Sequence, residues 1–208
     1  MKILVNRWLV ASDSPLAPMR RSTDQTLDEL LVLSCRNGSE VAFGMLHKRW
    51  HKRLWAHASH LLGRNLRDRA DDVCQEAWLA IARTIDTLGE PEHFRAWAYS
   101  IVTRRVADVR RSLGRDERKQ EGLRRETSGR ESSNQDPAAD DSASERETLR
   151  LALNSLSSED HALLRLFYLD ELSVAETAEA LDIPVGTVKS RLFHARQRLR
   201  RALQRRQT

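Results

Sequence analysis

Residues 173–192 read Ser173-Val174-Ala175-Glu176-Thr177-Ala178-Glu179-Ala180-Leu181-Asp182-Ile183-Pro184-Val185-Gly186-Thr187-Val188-Lys189-Ser190-Arg191-Leu192. Ser173 followed three residues later by Glu176 is a capping box, so a helix opens there and runs to about Leu181. Asp182-Ile183-Pro184 is a turn, and Pro184 presets the start of a second helix running from about Val185 to about Arg206. Ala178 is small enough for two helices to cross closely, and Ile183 and Val188 can plug the core between them. From Val185 onward no residue is acidic, while Lys189, Arg191, Arg196, Arg198, Arg200, Arg201, Arg205 and Arg206 are basic. Two short helices joined by a tight turn, the second long and basic, describe a helix-turn-helix that places its second helix against duplex DNA. A charge run alone would favour a solvated basic helix in an ordinary bundle; the turn, the small residue and the basic second helix together favour nucleic acid.

Working outward, Ser157-Ser158-Glu159-Asp160 is a capped start for a helix from His161 to Leu169 with Leu163, Leu164, Leu166 and Phe167 inside. Residues 114–147 are almost all charged or small and polar, with Leu123 the single large apolar side chain, and read as a flexible linker. Before it, residues 26–113 form a first helical block. Thr26 or Asp24 caps a short helix carrying Leu27, Leu30, Leu31 and Leu33, and Asn37-Gly38-Ser39 stops it and caps the next. Phe43, Leu46, Trp50, Leu54, Ala58 and Leu61 recur every three or four residues, the stripe of an amphipathic helix that Gly63 ends. A further helix spans about Asp68 to Leu88, with Val73, Ala77, Ala80 or Ile81, Thr84 and Leu88 facing inward. The last carries Phe94, Trp97, Ala98, Ile101, Val102, Val106 and Val109. The expected fold is all-α, two small helical domains (26–113 and 148–208) joined by the linker, after an N-terminal arm of residues 1–25. Translation could also begin at Met19.

Composition narrows the function. The 208 residues carry a formal net charge of +5, which suits a polyanionic partner. Cys35 and Cys74 form no metal or disulfide spacing, no apolar run reaches membrane length, and the cytoplasm is the expected compartment. His47 with His51 and His57 with His60 have spacings that can hold a metal, but Lys48, Arg49, Lys52 and Arg53 beside the first pair would repel a cation, so a basic surface is expected and no metal site.

These motifs together resemble the bacterial sigma-70 family of RNA polymerase sigma factors, in its extracytoplasmic-function group. Residues 156–203, above all Ile183 to Leu192 followed by His194-Ala195-Arg196, look like region 4. Asp71-Asp72-Val73-Cys74-Gln75-Glu76-Ala77-Trp78 resembles the acidic motif of region 2.2, and Phe94 to Tyr99 through Asp108 to Arg111 resembles regions 2.3 and 2.4. The resemblance implies that Asp71, Asp72, Gln75, Glu76 and Trp78 dock on the β′ clamp helices of core polymerase, an acidic cluster beside an exposed Trp suiting a basic, partly apolar surface. It implies that the −10 element is melted and held by His93, Phe94, Arg95, Arg104, Arg105, Arg110 and Arg111, with a flipped base captured around Glu90 to Phe94. Thr187, Lys189, Ser190, Arg191, His194 and Arg198 would contact the −35 duplex. Arg104 departs from the pattern, standing where many members have Asn, and Asp182 replaces the common Gly but tolerates the left-handed conformation. Trp97 falls on the apolar stripe and is expected in the core; Asp108 can pair with nearby arginines. The implied partners are core RNA polymerase (β′ clamp helices and β flap), promoter DNA and an anti-sigma protein, with no membrane insertion. No cofactor and no catalysis are expected. Two other functions compete. A metal nuclease using Asp71, Asp72 and Glu76 would lack a companion base or phosphate loop. A regulator that binds DNA without polymerase would leave the first block without a role.

Overall fold

The computed structural model describes residues 23–121 and 156–204. The expected N-terminal arm up to residue 22 and the linker from residue 122 lie outside them. Among the described residues there are seven α-helices and no strand: α1 (Thr23–Arg36), α2 (Glu40–Leu62), α3 (Ala70–Thr84), α4 (Phe94–Glu121), α5 (Ser158–Tyr168), α6 (Val174–Leu181) and α7 (Val185–Gln204).

The first bundle, α1 to α4, is built around Trp50 of α2. Its indole is fully buried and meets Phe94 and Tyr99 of α4 edge-on, at centroid distances of 5.7 Å and 5.9 Å. The indole N–H donates to Asp28 of α1 at 3.0 Å, and Arg49 Nε donates to the same carboxylate at 2.6 Å. A buried carboxylate thus ties α1 to α2 while satisfying the indole, whose N–H would otherwise be an uncompensated buried donor. On α1 the inward side is Leu31, Val32 and Cys35, whereas Leu27, Leu30 and Leu33 are exposed. The stop at Asn37-Gly38 and the new cap form as expected: Gly38 has φ 81°, and Ser39 Oγ accepts from the Ala42 amide at 3.2 Å.

The helix expected from Asp68 to Leu88 is in three pieces. A 3-10 segment (Arg64–Arg69) leads into α3, and a second 3-10 turn (Ile85–Thr87) follows it. Ile85, four residues after the buried Ile81, takes the inward position where Thr84 was expected, and the Thr84 hydroxyl donates to the Ala80 carbonyl at 2.7 Å. At the other end α4 continues to Glu121, beyond residue 113, where the first block was expected to end. Asp116-Glu117-Arg118-Lys119-Gln120-Glu121 is rich in helix formers, and a charged composition does not stop a helix.

The second bundle, α5 to α7, packs Leu163, Leu166, Leu172, Ala180, Val188, Ala195 and Leu199, all nearly or fully buried. The two bundles lie against each other, α4 along α6 and α2 along α5. The Thr103 hydroxyl of α4 donates to the Ala180 carbonyl of α6 at 2.6 Å, and Arg110 of α4 lies 3.7 Å from Glu159 of α5.

Candidate nucleic-acid interface

The turn before α7 is built from backbone chemistry that the sequence specifies. The Ser173 hydroxyl accepts from the Glu176 amide at 3.1 Å, and the Glu176 carboxylate accepts from the Ser173 amide at 2.7 Å, so the capping box is complete. Asp182 ends α6 in the left-handed conformation (φ 54°, ψ 46°). The chain then reverses, the Ile183 amide reaching back to the Ala178 carbonyl at 3.1 Å. This six-to-one bond closes the helix end as in a Schellman cap. The Pro184 carbonyl accepts from the Thr187 and Val188 amides at 2.9 Å and 3.1 Å, which starts α7 immediately.

Helix α7 therefore has a fixed phase. Val188, Leu192, Ala195 and Leu199 face the core, leaving Lys189, Ser190, Phe193 and His194 exposed and Thr187 and Arg191 half-exposed. Phe193, 57 % exposed, stands on this face beside the His194 ring at 5.4 Å, and the sequence reading missed it. The available signal was phase: Phe193 lies four residues after Lys189, on the side opposite Leu192 and Ala195. Three basic side chains are engaged within the bundle. Arg191 is 3.1 Å from Glu159, Arg198 is 2.9 Å from Asp160, and Arg196 donates to the Tyr168 hydroxyl at 2.6 Å.

The surface expected to hold single-stranded DNA divides in two. His93 is exposed in the 3-10 turn Pro91–His93, Arg104 and Arg111 are exposed on α4, and Arg105 is half-buried. Phe94 and Arg95 are not on the surface. The Phe94 ring is fully buried against Trp50, and Arg95 is 8 % exposed with its guanidinium 5.9 Å from the Trp50 ring. Both lie at the start of α4 on its inward side. Trp97 is half-buried against the core, as its stripe implied. Arg111 pairs with Asp108, and Arg110 donates to the Leu61 carbonyl.

On α3, Asp71, Asp72, Gln75 and Glu76 share one exposed side, and the Trp55 indole N–H donates to Asp71 at 2.8 Å. Leu79, 49 % exposed, prolongs this side. Asp72, Gln75 and Glu76 also line an open hollow of about 250 Å³ with Arg69, Val73 and Val109. Trp78 was expected to be exposed here; it is 6 % exposed, turned inward against Phe43 (5.8 Å) and His47 (4.6 Å). Its α3 neighbours Cys74, Ala77 and Ile81 are buried, so the same helical phase takes Trp78 inside.

His47 is half-buried and His51 exposed, beside the exposed Lys48 and Lys52. His47 and His51 stack at 4.9 Å and face α3, with His51 Nδ1 3.7 Å from Cys74 Sγ. Burial, with His51 adding to it, lowers the His47 pKa, and burial raises the Cys74 thiol to about 11. Among the described residues no three His, Cys, Asp or Glu side chains are grouped to hold a metal ion. No helix among them is long and apolar enough to cross a membrane.

Comparison with known proteins matches this geometry. Residues 46–116 match the family described as sigma-70 region 2, and residues 146–199 match sigma-70, region 4. The chain is similar to the ECF RNA polymerase sigma-E factor of Escherichia coli strain K12, with 30 % identity over 182 residues covering 84 % of this chain and 93 % of that one. It is also similar to the sigma-E factor of Haemophilus influenzae, with 25 % identity over 187 residues covering 87 % and 97 %. Among solved structures its fold is similar to the sigma factor RpoE of Bartonella quintana, crystallised with the anti-sigma factor NepR (TM-score 0.57, 22 % identity, 78 % of this chain and 96 % of that one). It is similar as well to CnrH in complex with the cytosolic domain of CnrY (TM-score 0.54, 24 % identity, 86 % and 97 %). With the region 2 bundle, the region 4 helix-turn-helix and relatives that span nearly its whole length, the chain belongs to the extracytoplasmic-function group of sigma-70 RNA polymerase sigma factors and serves in transcription initiation.

Proposed function

We propose that this sigma factor brings core polymerase to two-part promoters through three separate surfaces. The α7 side carrying Thr187, Lys189, Ser190, Arg191, Phe193, His194 and Arg198 reads the −35 element as duplex. His93 with Arg104, Arg105, Arg110 and Arg111 of α4 follows the opened −10 strand. The α3 side with Asp71, Asp72, Gln75, Glu76 and Leu79 holds the β′ clamp helices, while the second bundle meets the β flap. The observation that carries the reading is the opposition of charge: an acidic side on α3 and a basic side on α7, each fixed in phase by its own buried stripe. A basic, partly apolar polymerase surface suits the first and DNA phosphate the second.

In this reading residues 26–113 act as region 2 and 148–208 as region 4, with 114–147 joining them. The protein works in the cytoplasm, where polymerase is, and performs no catalysis of its own: capture of unpaired bases replaces any need for nucleotide hydrolysis. An anti-sigma protein holds it inactive, a reading supported by the fold it shares with the sigma factor RpoE crystallised with the anti-sigma factor NepR.

The test is reconstitution with bacterial core polymerase on a genomic promoter library, reading initiation sites by run-off sequencing. Initiation that depends on the protein and shares a two-part upstream sequence is the expected result. The variant Asp72→Lys combined with Glu76→Lys should abolish initiation and polymerase binding but leave duplex binding intact. DNA binding with no polymerase association would replace this reading with that of a free-standing regulator.

A further inference from the structure

The seam between the two bundles is lined by polar groups that contact with DNA or polymerase does not call for. From α2 come His57 and His60, from α4 Tyr99 and Thr103, from α5 His161 and Arg165, and from the loop after α5 Asp170. His57 is fully buried, its Nε2 3.0 Å from the Thr103 hydroxyl oxygen and its ring edge-on to Tyr99 at 4.9 Å. The single Thr103 proton is donated to the Ala180 carbonyl across the seam. That hydroxyl can then only accept from His57, so Nε2 carries the ring's proton and Nδ1 is left as a bare acceptor. Nδ1 is buried and has no partner. A second proton there would create a buried N–H, and a charge, with nothing to receive either.

The same holds where the two bundles meet ring to ring. His60 of the first and His161 of the second lie 4.3 Å apart, and His161 Nδ1 is also buried without a partner. Arg165 faces all three histidines and Arg67 adds its charge near His60. Asp170, 3.5 Å from Arg165 and beside the Tyr99 hydroxyl, and Glu159, 3.7 Å from Arg110, are acidic groups facing the seam, and Arg53 approaches Tyr99 from α2. One carboxylate thus already faces Arg165, and each proton gained by a histidine adds an unmatched cation.

We propose that this seam is a proton-operated latch, in which the neutral histidines His57, His60 and His161 let the two bundles dock and their protonation beside Arg165 drives them apart. Docked, Glu159 holds Arg110 of the first bundle, so the latch also governs one of the arginines proposed for DNA.

The direction follows from linkage. Burial first, then the neighbouring cations, lowers His57 to about 3 and His60 to about 4 in the docked state, and lowers His161 as well. A histidine released to water returns to about 6.5. The docked state therefore binds fewer protons, is fully favoured above about pH 6.5, and loses ground as pH falls below that value. His60 alone shifts the undocked-to-docked ratio by about tenfold between pH 7.5 and 5.5, and His57 and His161 add to it in the same sense.

Small-angle X-ray scattering of the full chain at constant ionic strength, from pH 7.5 to 5.5, with far-UV circular dichroism on the same samples, tests this. The radius of gyration should rise below about pH 6.5 while helical signal is unchanged. H60F/H161F keeps the facing rings without titratable nitrogen, leaves His57 alone to titrate, and should expand less than the parent at pH 5.5. R165Q, which keeps both histidines, should move the transition to lower pH, and it stands in should the double variant not fold. A radius constant across the range, a double variant that expands as the parent does, an R165Q transition that does not move, or expansion accompanied by loss of helix would each overturn the proposal.

Discussion

Replacing Glu159 with glutamine is expected to tighten binding of the −35 duplex by about 1.5- to 5-fold. Arg191 must leave Glu159, 3.1 Å away, before its guanidinium can meet a phosphate or a base. The side chains are 37 % and 48 % exposed, so solvent screens the pair and the range for surface ion pairs, about 0.2–1 kcal/mol, applies rather than a buried-pair value. At about 1.4 kcal/mol per tenfold, removing that competition gives the stated gain. Glutamine keeps the length of the side chain, and the Ser157 cap on the Asp160 amide at 3.1 Å is untouched, so α5 should still form. Loss of a negative charge from the first turn of α5 costs about 0.3–1 kcal/mol of stability, too little to unfold the bundle. The assay is fluorescence anisotropy of the full chain on a −35 duplex at fixed salt, as a double-mutant cycle with R191A. The gain should vanish in the R191A background. Equal or weaker binding by E159Q, or a gain that survives R191A, would refute the idea that Glu159 competes with DNA for Arg191.

Three further outcomes are expected. Asp182→Val should lose about 1–2 kcal/mol in urea unfolding, because a β-branched residue resists the left-handed conformation of the turn, whereas Asp182→Gly should be neutral or slightly stabilising. Asp28→Ala should destabilise by about 2–3 kcal/mol, since it strips the acceptor from both the buried Trp50 indole and Arg49, again read by urea unfolding. Phe193→Ala should leave stability within about 0.5 kcal/mol but weaken −35 binding by about 1 kcal/mol, measured by anisotropy, because its ring is exposed in the free protein and available to bury against bases.

Much of the fold can be read from short-range chemistry. The capping box at Ser173, the left-handed Asp182, the stop at Gly38 and the stripe through Trp50 are each specified by residues within a turn or two of one another, and each forms as expected. The sequence is less informative wherever helical phase is set by a neighbour. Thr84 and Ile85, three and four residues after the buried Ile81, both fall near the inward side, and packing takes the apolar Ile85. Phe94, Arg95 and Trp78 carry the residue types of a binding surface, yet they lie inside, against Trp50, Phe43 and His47 of α2, residues distant in sequence.

By itself, then, the sequence determines that the chain is helical, where its helices stop and start, and that one of them is a basic recognition helix. Those properties rest on backbone capping and periodicity, which act over a few residues. Only the tertiary structure decides which arginines are already spoken for and which histidines meet across the two bundles. Glu159 lies 32 residues from Arg191 and 49 from Arg110, and His60 lies 101 from His161. Ion pairs and ring contacts at such separations arise from docking of whole helices, and no local pattern encodes them.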